Sequence, residues 1–147
     1  MSVALPNGQA VVVLNAITAA ATGPFDGAKV VLFQSNTTLL PTTVLADLTI
    51  CDFSGYATSS AIVWADAGFD AQGDVLVTGG TKSFARTAGA VSNDVYGYAL
   101  VDGTATDLLW ARKFPQPIPM AVVGQTLIVL PVLTLGQPPD LGPNDVV

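Results

Sequence analysis

The stretch from Gly79 to Ser83, GGTKS, is the nearest the chain comes to a phosphate-binding loop, because glycine, lysine and a hydroxyl side chain follow a short apolar run. Such a loop needs a glycine at its first position and another directly before the lysine, so that backbone N–H groups converge on the phosphates. Here Thr81 precedes Lys82, and the first glycine is missing. We therefore expect no nucleotide and no other cofactor. We predict instead two strands, DVLVT and TKSFAR, joined by a glycine turn.

Acid–base chemistry has few candidate groups in this chain, because histidine is absent and all eleven acidic residues are aspartate. Without histidine, the usual serine and cysteine nucleophiles lack their general base. A pair of aspartates is the machinery of glycoside hydrolysis, so an Asp-dependent glycosidase is one alternative. Most of the aspartates lie beside glycine or asparagine, where turn formation accounts for them. The sequence predicts a protein that is not an enzyme.

Three aspartates, Asp66, Asp70 and Asp74, recur every four residues in a glycine-containing segment and are the chain's Ca²⁺ candidates. Their spacing differs from that of a helix–loop–helix calcium site, and no glutamate follows, so we predict no metal centre. The single cysteine, Cys51, cannot form an internal disulfide. We expect it to be a small buried residue, with a crosslink between subunits as the alternative.

Aromatic and hydroxyl residues raise two glycan hypotheses. The aromatic side chains could form a sugar-stacking platform if they share an exposed face, although at strand spacing they are more often core residues. A carbohydrate-binding β-sandwich module is therefore the alternative function. The aromatic residues concerned are Tyr56, Trp64, Phe69, Tyr96, Tyr98 and Trp110. Separately, Asn36 begins the N-glycosylation sequence Asn-Thr-Thr in a predicted surface loop.

The composition indicates a chain whose surface is not all in contact with water. Half of its 147 residues are hydrophobic and 11% are charged, whereas about a quarter is usual for charged residues in soluble domains. Coverage by other copies of the chain would account for the shortage of charge. The net charge of −6 disfavours nucleic-acid partners, since their phosphates are neutralised by Lys and Arg.

The elements that would position these groups are predominantly strands, because good helix formers for exposed positions are scarce while Val, Thr, Gly and Asp are plentiful. Apolar runs at 26–34, 43–50, 56–65, 95–101, 107–114 and 126–135 predict strands. Asp102-Gly103 predicts a two-residue hairpin turn. Tyr96, Tyr98 and Leu100 should lie on one strand face, opposite small residues. The fold class predicted is all-β, a single β-sandwich or jelly-roll-like domain with an extended N-terminal arm and a proline-rich C-terminal tail.

Three regions follow: an N-terminal assembly arm at 1–22, a β-sandwich domain at 23–136 and a tail at 137–147. Burial of the arm's apolar side chains nearly cancels the entropy lost on ordering it. It should therefore add as a strand to a sheet edge or dock as a helix in a groove, and both alternatives stay open. It is too short to span a bilayer and lacks the basic segment of a signal peptide. The predicted intersubunit contacts are Val11, Val12, Val13, Leu14, Ile17, Pro138, Pro139 and Leu141.

Several apolar segments recur between turns within residues 28–136: VVLFQSN, LADLTICDFSGYA, IVWA, VYGYALVD, LLWARKF and GQTLIVLPVLTLG. Together these segments are similar to small structural proteins of tailed bacteriophages and environmental phage genomes. The resemblance implies a non-enzymatic virion component and carries over no catalytic residue. The proline-rich tail departs from that pattern and leaves a free extracellular filament as the other setting. We thus predict a structural subunit that assembles with itself, located in a virion or outside the cell.

Overall fold

The computed structural model describes residues 7–19 and 23–135 of the chain. Its elements in chain order are α1 (Asn7–Thr18), β1 (Lys29–Phe33), a 3₁₀ turn (Leu45–Asp47), β2 (Gly68–Phe69), β3 (Val75–Thr78), β4 (Lys82–Ala85), β5 (Asp94–Val101), β6 (Leu108–Pro119), β7 (Thr126–Val129) and β8 (Val132–Leu135). The strands form three antiparallel sheets, ordered β1-β5-β6, β2-β3-β8 and β4-β7. The predicted all-β class is confirmed, with α1 as an added helix.

One hydrophobic cluster joins the three sheets. Leu32 of β1 and Leu100 of β5 share it with Val77 of β3, Phe84 of β4 and Leu133 of β8. A second cluster covers the opposite face of β1 and β5, where it contains Val31, Phe33, Ala99 and Val101. β1 and β5 are therefore buried on both faces, which explains why they read as nearly continuous apolar runs.

A β-bulge in β5 alters the predicted alternation of its side chains. Tyr98 and Leu100 lie in the first cluster, as predicted. The register shifts between Val95 and Gly97, so Val95 joins the same cluster while Tyr96 packs on the opposite one. The face assignment was thus correct after the bulge and wrong before it, because the extra residue reverses the alternation.

The predicted hairpin between DVLVT and TKSFAR is wrong, although both strands exist. β3 pairs with β8, and β4 pairs with β7, in a different sheet. The glycines mark a crossing between sheets, where a Cβ on Gly79 would collide with the Ile62 side chain. The apolar run at 126–135 divides in the same way at the buried Pro131, whose carbonyl accepts the Gly79 N–H at 2.8 Å. This hydrogen bond joins the connection between β3 and β4 to the connection between β7 and β8.

The hairpin at Asp102 is present, but its connection is longer than the two-residue turn predicted. It joins β5 to β6 through a loop in which the Asp102 carboxylate accepts the backbone N–H groups of Thr104, Thr106 and Asp107 at 3.1, 2.6 and 2.8 Å. Ala105 takes the positive φ of 58°. The aspartate therefore organises the loop through its side chain, while Gly103 does not supply the left-handed turn.

Two predicted strands are absent from their segments. Residues 43–50 contain the 3₁₀ turn and an isolated bridge between Ile50 and Phe33. Residues 56–65 run beside β1, where Ser59 N–H donates to Val30 O at 3.1 Å and Ile62 N–H to Ala28 O at 2.7 Å. These bonds are too widely spaced to make a regular ladder.

Candidate functional site

The N-terminal arm is helical over α1, which is one of the two forms that the sequence left open. Leu14 lies in the core of its own chain with 1% of its surface exposed, and Val11 packs beside it. The Asn15 side-chain oxygen accepts the Ala67 N–H at 2.9 Å. One face of α1 therefore docks on the domain that follows it, near β3 and β8.

The side of α1 turned away from these contacts, which we call the outer face, consists of Val12, Val13 and Ala16, all exposed. Val12 has 67% of its surface exposed and Val13 has 38%. The helix contains no charged residue. Of the predicted contact residues, Val12 and Val13 thus present apolar surface, whereas Leu14 does not. The Ile17 side chain and the predicted tail contacts Pro138, Pro139 and Leu141 lie outside the described residues.

A second surface feature is a cleft of about 240 Å³ between β6 and β7. Tyr98 and Phe114 form its aromatic wall, with ring centroids 6.1 Å apart. Arg112, paired across the strands with Tyr98, supplies a cation. Ile128 and Leu130, both exposed, form the apolar side. Burial raises the pKa of the Tyr98 hydroxyl, and the nearby Arg112 guanidinium opposes that rise.

The aromatic residues do not form the predicted sugar platform among the described residues. Tyr56 packs between Phe53 and Phe84 in the core, and the Trp64 indole N–H donates to Phe25 O at 3.1 Å. Phe69 is exposed on the short strand β2. Tyr56 and Trp64 therefore serve packing and do not join Phe69 on one exposed face, and carbohydrate binding stays a prediction.

Among the acidic candidates, Asp70 holds a turn through its side chain. One Asp70 carboxylate oxygen accepts the N–H groups of Gln72 and Asp74, both at 2.9 Å, in the connection between β2 and β3. Within the part of the chain that the structure describes, no three acidic or cysteine side chains come together as metal ligands. In the GGTKS segment, the Lys82 ammonium donates a hydrogen bond to Ala61 O at 2.7 Å and so serves a structural contact.

Cys51 is buried in the first cluster, as predicted for a small core residue. Burial, followed by the negative charge of Asp52, raises the pKa of its thiol to about 12. A protonated, enclosed thiol is a poor partner for a crosslink between subunits.

The glycosylation candidate Asn36 is exposed in the loop after β1. Its side-chain oxygen accepts a hydrogen bond from the Lys113 ammonium at 2.6 Å. Modification at this position stays a prediction.

Two polar residues that hold loops in place were not singled out from the sequence. The Asn93 side-chain oxygen accepts the N–H groups of Asp52 and Phe53, both at 2.8 Å, and its amide donates to Gln34 at 2.9 Å. Arg86 is buried and donates to the carbonyl of Met120 at 3.0 Å. Neither lies in a motif, and their neighbours are distant in sequence, so no local pattern could have identified them.

Comparison of the chain with protein-family models, with curated proteins and with solved structures finds no match. The described residues contain no helix long and apolar enough to cross a membrane.

Proposed function

We propose that this protein is a non-enzymatic structural subunit that assembles with copies of itself into a homopolymer. The observation that carries the proposal is the outer face of α1, an uncharged surface on which Val12 is more exposed than Val13. The resemblance to small phage structural proteins adds a setting, which is a virion or an extracellular filament.

The physical argument starts from the helix itself. A solvent-facing helix normally carries charged and polar residues on its outer side, whereas a helix that is apolar all round is buried. α1 docks one face on its own domain and exposes two valines on the other. Full burial of a valine stabilises by about 1.5–3 kcal/mol, so covering these partly exposed side chains contributes on the order of 1–3 kcal/mol at each contact.

Further exposed apolar side chains support repeated contacts between copies. Val122 and Val123 are exposed in the turn before β7, and Ile128 and Leu130 are exposed in and just beyond it. Each contributes little alone. Several contacts of this kind per subunit, repeated along an assembly, give a stable polymer through multivalency.

We also infer that the described sheets form a β-sandwich-like body. The inner faces of β1 and β5 meet β3, β8, β4 and β7 in one cluster, which is the arrangement expected when sheets pack face to face. In this arrangement α1 lies at the outside of the domain, where it is able to meet a neighbouring subunit.

The test uses Val12→Asp in the full chain, followed by light scattering on a sizing column and by negative-stain microscopy. We expect wild-type protein to form oligomers or filaments, and Val12→Asp to shift the population towards monomer. Val63→Asp is the matched control, because Val63 is 78% exposed but lies outside α1, and it should assemble normally. A folded wild-type chain that stays monomeric at micromolar concentration would exclude the proposed function.

A further inference from the structure

The cleft between β6 and β7 combines three kinds of chemistry on rigid elements. Its aromatic wall, Tyr98 and Phe114, belongs to adjacent strands of one sheet. Arg112 lies between Trp110 and Phe114 in the sequence of β6, so the three alternate positions place a cation between two aromatic rings. Both rings lie close to Tyr98, with centroid distances of 5.7 Å to Trp110 and 6.1 Å to Phe114.

The opposite side of the cleft is aliphatic and uncovered. Ile128 is 64% exposed and Leu130 is 48% exposed. Arg112 is also exposed, and it is one of only five basic residues in a chain of net charge −6. A ligand that matches this cleft must offer rigid apolar surface to the aromatic rings, an aliphatic group to Ile128 and Leu130, and a carboxylate to Arg112.

Residues 137–147 of this chain, QPPDLGPNDVV, contain that combination. Pro138 and Pro139 favour the polyproline II conformation, which has no internal hydrogen bonds and docks in aromatic-lined grooves at low entropic cost. Asp140 follows with the required carboxylate, and Leu141 with the aliphatic side chain. The tail therefore contains each of the three chemical groups that match the cleft.

We propose that the segment 137–147 of one copy docks in the β6–β7 cleft of a second copy, with Asp140 paired with Arg112. The proposal rests on the proposed self-assembly and names one of its contacts. A second copy is favoured over the same chain because Ile128 and Leu130, which line the cleft, are among the exposed apolar side chains that support contacts between copies. Such a tail-to-cleft contact is heterologous, so repetition gives a ring or an open polymer with a direction.

The test exchanges the two charges in the full chain. Arg112→Asp and Asp140→Arg should each weaken association by about fivefold or more, since each replaces an attraction by a repulsion. Mixing the two variants should restore association in mixed pairs, because the altered tail of one then meets the altered cleft of the other. Lys29→Asp, the same charge change in β1 on the far side of the sheet, is the control and should associate like the wild type. Sedimentation velocity measures association, and circular dichroism confirms that each variant is folded.

The outcomes separate this contact from self-assembly in general. Restored association in the mixture supports the proposal. Restoration only when both changes are in one chain shows that the tail docks in its own cleft, which overturns the proposal. If neither single variant changes association while Val12→Asp does, the tail contact is wrong and the assembly through α1 stands.

Discussion

Removing the hydroxyl group of Tyr56 tests the account of how the irregular segment at 51–65 is held to the first sheet. The Tyr56 hydroxyl oxygen accepts the backbone N–H of Leu32 at 2.9 Å, and Leu32 is fully buried in β1. Its ring is stacked on Phe84 with 5.8 Å between centroids. Tyr56→Phe keeps the ring and its packing but leaves the Leu32 N–H without its partner.

The expected cost follows from that single loss. A buried backbone N–H left without a hydrogen bond costs about 1–3 kcal/mol, and the aromatic contacts are unchanged. For a domain of this size, each kcal/mol lowers Tm by about 2–4 °C. Tyr96→Phe is the matched control, because it removes the same atom from a half-buried ring on the other side of β5, and we expect it to alter stability by less than about 0.5 kcal/mol.

The assay is urea unfolding followed by tryptophan fluorescence, with all variants at one protein concentration because association stabilises the folded state. Tyr56 also predicts a pH dependence. Burial raises the pKa of its hydroxyl from 10.0 to about 12, so its contribution is present below pH 10.0 and is lost as pH rises towards 12. Equal stability of Tyr56→Phe and the wild type at neutral pH would refute the hydrogen-bond assignment.

Two further outcomes are expected from other ionisable groups. Burial and the charge of Asp52 raise the pKa of Cys51 from 9.0 to about 12, so the free energy of unfolding should fall as pH rises above 9.0. In Cys51→Ala the free energy of unfolding should depend less on pH in that range. The thiol of the native wild type should resist alkylation at neutral pH. The N–H of Asp107, then the Thr104 hydroxyl, lower the pKa of Asp102 from its ordinary 3.8, so its stabilising effect is fully present above pH 3.8 and decreases as pH falls below that value; Asp102→Ala should lower Tm by more at neutral pH than near pH 2.

The strands that the sequence predicted best are those whose residues interact with a buried surface on both sides. β1 and β5 read as apolar runs because both of their faces are covered, and that pattern is local. The pairing of strands was not predictable in the same way. In the sequence, Gly79-Gly80 resembles a hairpin turn and Pro131 an interruption of one strand. In the structure, they are neighbouring points at which the chain passes from one sheet to another. That role depends on contacts between distant segments.

The conformation of α1 also depends on contacts with distant segments. Its three consecutive valines favour a strand by propensity, and the sequence left strand and helix open. Packing of Leu14 into the core accounts for the helix, because tertiary contacts outweigh weak intrinsic preference. Of the candidate site, the sequence identified the apolar arm but not its division into a buried and an exposed face. It did not identify the β6–β7 cleft, which is assembled from residues far apart in the chain.

The most direct test of self-assembly is sedimentation velocity of the wild-type chain over a range of concentrations, beside Val12→Asp. We expect wild-type protein to sediment faster as its concentration rises, while Val12→Asp remains at the rate of a folded 15.0 kDa monomer over more of the range. Identical, concentration-independent monomer sedimentation of both proteins would contradict it.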